Sequence, residues 1–142
     1  MSDLSIIREE VKTVLEAGIS GLRVYPYEPD GYMEYPCVIV APTEDIEYAN
    51  RAINSENIRI DFSLVLYLAI NSSTDGWKEL DEYRSPTGAK SIRKAIKDNA
   101  TLNSKVGHAE VTRSGEASRG RDVNDRFWEF SCSFGMYVLK NF

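Results

Sequence analysis

Catalysis needs a nucleophile, a base or a metal ligand held beside a partner, and this chain offers few such groups. Its one histidine, His108, shares a strand-like register with Val106 and Glu110. A half-exposed strand residue is a simpler reading there than a general base. Cys37 and Cys132, the two cysteines, each lie inside an apolar strand-like run, which suits buried thiols acting as small hydrophobes. Two thiols and one imidazole fall short of a zinc set, and a chain of this size needs no disulfide. The carboxylates cluster at Glu9-Glu10, Glu44-Asp45-Glu47 and Asp81-Glu82, on helix surfaces or in loops where charge is solvated. Acid–base pairs need carboxylates in contrasting environments, which this spacing does not suggest. Ser114-Gly115 and Gly88 do not make a phosphate loop, because no Gly-rich run precedes a Lys-Ser or Lys-Thr at a helix start. These residues predict no enzyme, no metal and no cofactor.

Two stretches stand out instead. Residues 113–126 (RSGEASRGRDVNDR) carry Arg113, Arg119, Arg121 and Arg126, with Gly115 and Gly120, in an otherwise acidic chain. Such a polar connection is longer than a hairpin requires, and long loops are often functional. Glu116, Asp122 and Asp125 offset part of its charge. It reads either as a solvated loop or as a protrusion that touches an acidic partner or a nucleic-acid backbone. Residues 25–36 combine Tyr25, Tyr27, Tyr32 and Tyr35 with Pro26, Pro29 and Pro36. Aromatic rings with a polar tip suit interfaces, and they equally serve loop packing.

The elements that position these groups follow from periodicity. Along Asn57–Ile70 (NIRIDFSLVLYLAI), Ile58, Ile60, Phe62, Leu64, Leu66, Leu68 and Ile70 fall at every second position. A period of two predicts a strand with one wholly apolar face and one mixed face. Fourteen residues would span roughly 45 Å, so the strand is expected to bend or to project beyond its neighbours. Residues 125–139 repeat the alternation with Trp128, Phe130, Cys132, Phe134, Met136 and Val138. The two are expected to be antiparallel neighbours on one core face.

Residues 3–17 place Leu4, Ile7, Val11, Val14 and Leu15 on one helical stripe, with Arg8, Glu9, Lys12 and Glu16 on the other side. Ser2 or Asp3 can cap its start, and Gly18 can take the left-handed conformation that ends it. Short strands are expected at 21–25, 36–41 and 105–114, and helices at 75–85, capped by Ser73 or Thr74, and 89–98. Trp77, Leu80 and Tyr83 share the first of these helices at helical spacing. Residues 43–56 (TEDIEYANRAINSE) fit a long hairpin arm or an irregular loop, and an extended arm is expected. Strands paired by hairpins rather than strict βαβ alternation predict an α+β fold, an antiparallel or mixed β-sheet with helices packed on one face.

The chain has 142 residues, net charge −5 and pI about 5.0, which fits one domain over 1–142 and argues against a general nucleic-acid binder. No apolar run approaches a membrane span, and MSDLSIIREE has no signal-peptide pattern. An intracellular protein, mature as written and without a membrane partner, is expected.

The order of pieces resembles the tail terminator (tail-completion, or neck) proteins of long-tailed bacteriophages. The resemblance rests on the amino-terminal helix, GLRVYPYEPDGYMEYPCVIVAP, the long alternating strand, WKELDEYRSPTGAKSIRKAIKDNATLNSKV and the closing aromatic strand. It covers nearly the whole chain and contains no catalytic motif. It implies a structural virion protein, assembled in the host cytoplasm as a homohexameric ring. Such a ring caps the head-proximal end of the tail tube, stops polymerisation of the major tail-tube protein, and docks to a head-side connector or stopper protein. DNA passes through its bore without sequence specificity. Mapped onto this chain, Arg113, Arg119, Arg121 and Arg126 fall at the lumen or at a stacking face. Arg119 and Arg121 would meet DNA phosphate or an acidic tube rim. Arm residues Glu44, Asp45 and Tyr48, with Tyr25, Tyr27, Tyr32 and Tyr35, fall at a subunit interface. Two alternatives share the pattern: a head-side connector or stopper of the same neck, and a small cytosolic regulatory binding protein.

Overall fold

The computed structural model describes residues 2–41, 45–48, 57–121 and 126–141. Ser2 opens the first helix, its hydroxyl accepting the Ser5 N–H, and α1 runs Asp3–Gly18. Gly18 does not take the left-handed conformation expected of it. Ile19 closes the helix in an extended conformation, and the positive φ (80°) belongs to Gly21. Gly18 instead lets α1 approach Ala95, where an added Cβ would sit 3.1 Å from that residue's own.

Two short strands follow, β1 (Arg23–Tyr25) and β2 (Cys37–Val40), then β3 (Asp45–Glu47) and the long β4 (Asn57–Ile70). Helices α2 (Ser73–Arg84) and α3 (Ile92–Lys97) lead to β5 (His108–Ser114), β6 (Ser118–Arg121) and β7 (Trp128–Asn141). The α2 cap is Ser72, one residue before the expected candidates, and Ser91 caps α3. Beyond α3, Leu102, Asn103 and Ser104 all have positive φ and form a left-handed turn that drives Leu102 into the core.

One mixed sheet results, in the order β1-β2-β4-β7-β5, with β3 also on β4 and β6 also on β7. β4 and β7 pair antiparallel along their whole length, from Asn57↔Asn141 to Ile70↔Trp128. β4 therefore does not project beyond its neighbour. On its other side β2 and β3 pair with successive parts of it. The β1–β2 pair is parallel rather than a hairpin. The arm 43–56 contributes β3; its other residues, Tyr48 excepted, lie outside the described ones. The stretch 113–126 is also not simply a loop, since it ends β5 and contains β6.

Three helices close one face of this sheet. Ile60, Phe62, Leu64, Leu66 and Leu68 of β4 and Phe130, Phe134, Met136 and Val138 of β7 form one buried cluster with Ile7, Val11, Leu15, Leu80, Tyr83, Ile92 and Ile96 from the helices. Each such side chain contributes about 1.5–3 kcal/mol by leaving water. Cys37 and Cys132 are both buried and free. α2 sits so close to β7 that a Cβ at Gly76 would overlap the Phe130 ring. Leu80 and Tyr83 point inward, while Trp77 stays 38% exposed and sets its ring edge-on against Phe130, 4.9 Å between centroids.

Candidate assembly surface

Among the described residues no helix lies over the opposite face of the sheet. β4 presents Arg59, Asp61, Ser63, Val65, Tyr67 and Ala69 there, opposite Leu139, Tyr137, Gly135, Ser133, Ser131 and Glu129 of β7 in that order. The β4 side chains on this face are half-buried, not sealed. At one end Arg59 pairs with Asp61 (3.1 Å) and lies 4.6 Å from the Tyr137 ring centroid. The Tyr137 hydroxyl donates to Glu110 (2.8 Å), and that bond to a carboxylate is the main cause of its raised pKa. His108 packs beside Tyr137 and is well exposed, as a strand residue should be.

At the other end stand Cys37 and Tyr67, opposite each other in register, with Glu129 and Tyr35. Burial pushes the Cys37 thiol up to about 11, with the Glu129 carboxylate acting in the same direction. Burial raises Tyr67 as well, again with help from Glu129. The Tyr35 hydroxyl donates to Glu129 (2.7 Å), tying the tyrosine loop onto this face.

Three of the four loop tyrosines are held by the fold. Tyr25 accepts the Glu34 N–H at its hydroxyl, Tyr27 shares a 2.6 Å hydrogen bond with Ser5, and Tyr35 is bound as above. Tyr32 is 85% exposed, and Tyr48 beyond β3 is 73% exposed. Asp45 is exposed on β3, and Glu44 lies outside the described residues. Beneath the loop is a charged group expected on the solvent side of α1. Arg8 is buried, and its guanidinium donates to the carbonyls of Pro26 (2.9 Å), Val40 (2.7 Å) and Ala41 (3.0 Å). The Tyr27 and Phe62 rings lie within 4.8 and 5.6 Å of it. Desolvation lowers its pKa, but a guanidinium retains its proton. The spacing Leu4, Arg8, Val11, Leu15 was the available signal, because it puts position 8 on the buried stripe.

The four arginines singled out by sequence do not form one patch. Arg113 sits beside a bulge in β5 opposite Gly135, and its side chain crosses that glycine on the open face. Arg119 and Arg121 face the helix side, 4.3 and 4.4 Å from the Trp128 ring centroid, where Arg119 also donates to the Ser73 hydroxyl. Arg126 lies over Phe127 at the hairpin end.

No known family model matches the chain, and no curated protein does. The other carboxylates are spread out. Glu82 pairs with Lys90 on the surface, and Glu10 accepts from the Asn103 amide. Among the described residues no group of three His, Cys, Asp or Glu could hold a metal ion, and no helix is long and apolar enough to cross a membrane. Chemically, the open face offers aromatic rings, paired charges and small hydroxyls spread over a broad surface. Such residue types suit protein contact.

Proposed function

We propose that this chain is a structural subunit of a long-tailed phage neck. It forms a ring at the head-proximal end of the tail tube, ends tube polymerisation and joins tail to head. The observation that carries this reading is the two-faced sheet: helices seal one side, and no helix among the described residues covers the other. The sequence resemblance supplies the kind of assembly. Exposed Tyr32 and Tyr48 suit contact with a neighbouring subunit or the tube. A head-side connector shares this architecture and is the second reading.

Negative-stain imaging of the purified protein, alone and mixed with its phage's tail tubes, tests the proposal. Closed rings, or added density at one tube end only, support a terminator. Rings that bind portal-bearing heads and ignore tubes move the assignment to the head-side connector. Dispersed particles indifferent to both contradict a neck role.

A further inference from the structure

Charge is sorted across the sheet from one edge to the other. From Arg23 to Asn50, the segment that contains β1, β2 and β3, there are six acids against one base, Arg23, which pairs with Glu34. Between Arg84 and Arg126, the segment that contains α3, β5 and β6, ten Lys and Arg stand against five Asp and Glu. The sheet order places the first segment at one edge and the second at the other. β4 and β7, which lie between them, each carry one acid and one base. The subunit is therefore a dipole directed across its strands, a property that the modest net charge conceals.

The two edges also differ in shape. The acidic side carries Tyr27, Tyr32 and Tyr48, three of the four exposed large apolar side chains among the described residues. The basic side carries a groove of about 280 Å³ between α3 and the outer edge of β5. Arg93 and Lys97 wall it, Ala100, Ala109 and Val111 line it with apolar surface, and His108 and Glu110 complete it, the Glu110 carboxylate being engaged by the Tyr137 hydroxyl. Neither Arg93 nor Lys97 has an ion-pair partner among the described residues. Asp45 and Glu47 are exposed on β3 at the opposite edge, immediately before Tyr48.

We infer that the acidic edge of one subunit docks on the basic edge of a second copy, with Asp45 and Glu47 meeting Arg93 and Lys97 and the Tyr48 ring entering the groove. Two different surfaces of the same chain then meet, a heterologous contact that closes into a ring when its rotation permits. Opposed charges set the direction of docking and disfavour acid-to-acid or base-to-base contacts. β2 and β3 together follow β4 from Arg59 to Tyr67, roughly 30 Å, which is long enough to support an interface of about 800 Å² per partner. This inference rests on the ring proposed above and names its joint.

Two full-length variants test it. Arg93→Glu with Lys97→Glu makes both edges acidic; Asp45→Lys with Glu47→Lys makes both basic. All four residues are exposed, and circular dichroism with a melting curve verifies that each variant folds. Sedimentation velocity is then run on wild type, each variant and an equimolar mixture, at low and high salt. The wild type is expected to associate at low salt, with affinity falling about tenfold or more at high salt. Each variant alone should remain monomeric, and the mixture should regain wild-type size by alternating the two. Variants that assemble like wild type, or a mixture of folded variants that stays monomeric, overturn the edge contact. If those variants still form rings, the neck reading stands without it. If wild type forms open chains that the variants lose and the mixture restores, the edge contact stands and the closed ring falls. A wild type that stays monomeric at low salt and on tail tubes overturns both.

Discussion

β4 and β7 show two faces of the same pair of strands to two environments. Towards the helices they present Phe62, Leu64, Leu66, Phe130, Phe134 and Val138, at most 2% exposed. Away from them they present Arg59, Asp61, Ser63, Ser131, Ser133 and Tyr137. On the first face, stability comes from area removed from water and from close packing. On the second it comes from half-exposed pairs such as Arg59–Asp61, worth about 0–1 kcal/mol each. The helix face holds most of the buried apolar side chains, and the other face carries mainly polar and half-buried ones. Edge strands continue that division, because β3 and β6 add little core but carry charge outward.

The contrast can be broken most sharply at Phe130, which is fully buried between Gly76 and the Trp77 ring. Phe130→Ala should cost about 3–5 kcal/mol of unfolding free energy, seen as a lower urea midpoint. A cost below about 1 kcal/mol would show that the helix face does not dominate.

A smaller effect belongs to Cys37, the buried group nearest the open face. Its thiol is raised from 9.0 to about 11, so the folded state holds a proton that the unfolded chain releases earlier. The resulting stability is intact below about pH 9 and is lost as pH rises towards about 11. Tyr67 and Tyr83 are raised as well and act in the same sense at higher pH. Urea midpoints at pH 8 and pH 10.5 should therefore fall further for wild type than for Cys37→Ala. Equal falls would remove Cys37 from the alkaline sensitivity.

The smallest effect should be at Arg59. Arg59→Ala removes the Asp61 pair and the stack on Tyr137, and should change stability by about 0–1 kcal/mol. A loss as large as that at Phe130 would mean the open face also holds the fold together.

Most of the fold was legible because its central pair is long. Over fourteen residues, alternation leaves no competing helical reading for β4 or β7. The short polar strands were not legible, since β3 and β6 exist by pairing with β4 and β7 rather than by any pattern of their own. Nor could sequence show that β1 runs parallel to β2, a consequence of the route taken by the tyrosine loop. The arginines illustrate the same limit. Arg113 and Arg119 are an even number of residues apart, which predicts a shared face in a continuous strand. The break at 115–117 shifts the pairing on β7 by one residue and sends them to opposite faces. For Arg8 the helical spacing could show the burial, but only the folded chain brings the carbonyls of Pro26, Val40 and Ala41 to its guanidinium.

The most direct test of the claim that the uncovered face and edges are an assembly surface is hydroxyl-radical footprinting of the free protein and of the protein bound to tail tubes. Tyr32 and Tyr48 on the acidic edge should lose most of their reactivity on assembly, while Trp77 on the helix side keeps its own. Unchanged tyrosines, or protection confined to Trp77, would place the contact on the helix side and contradict the account.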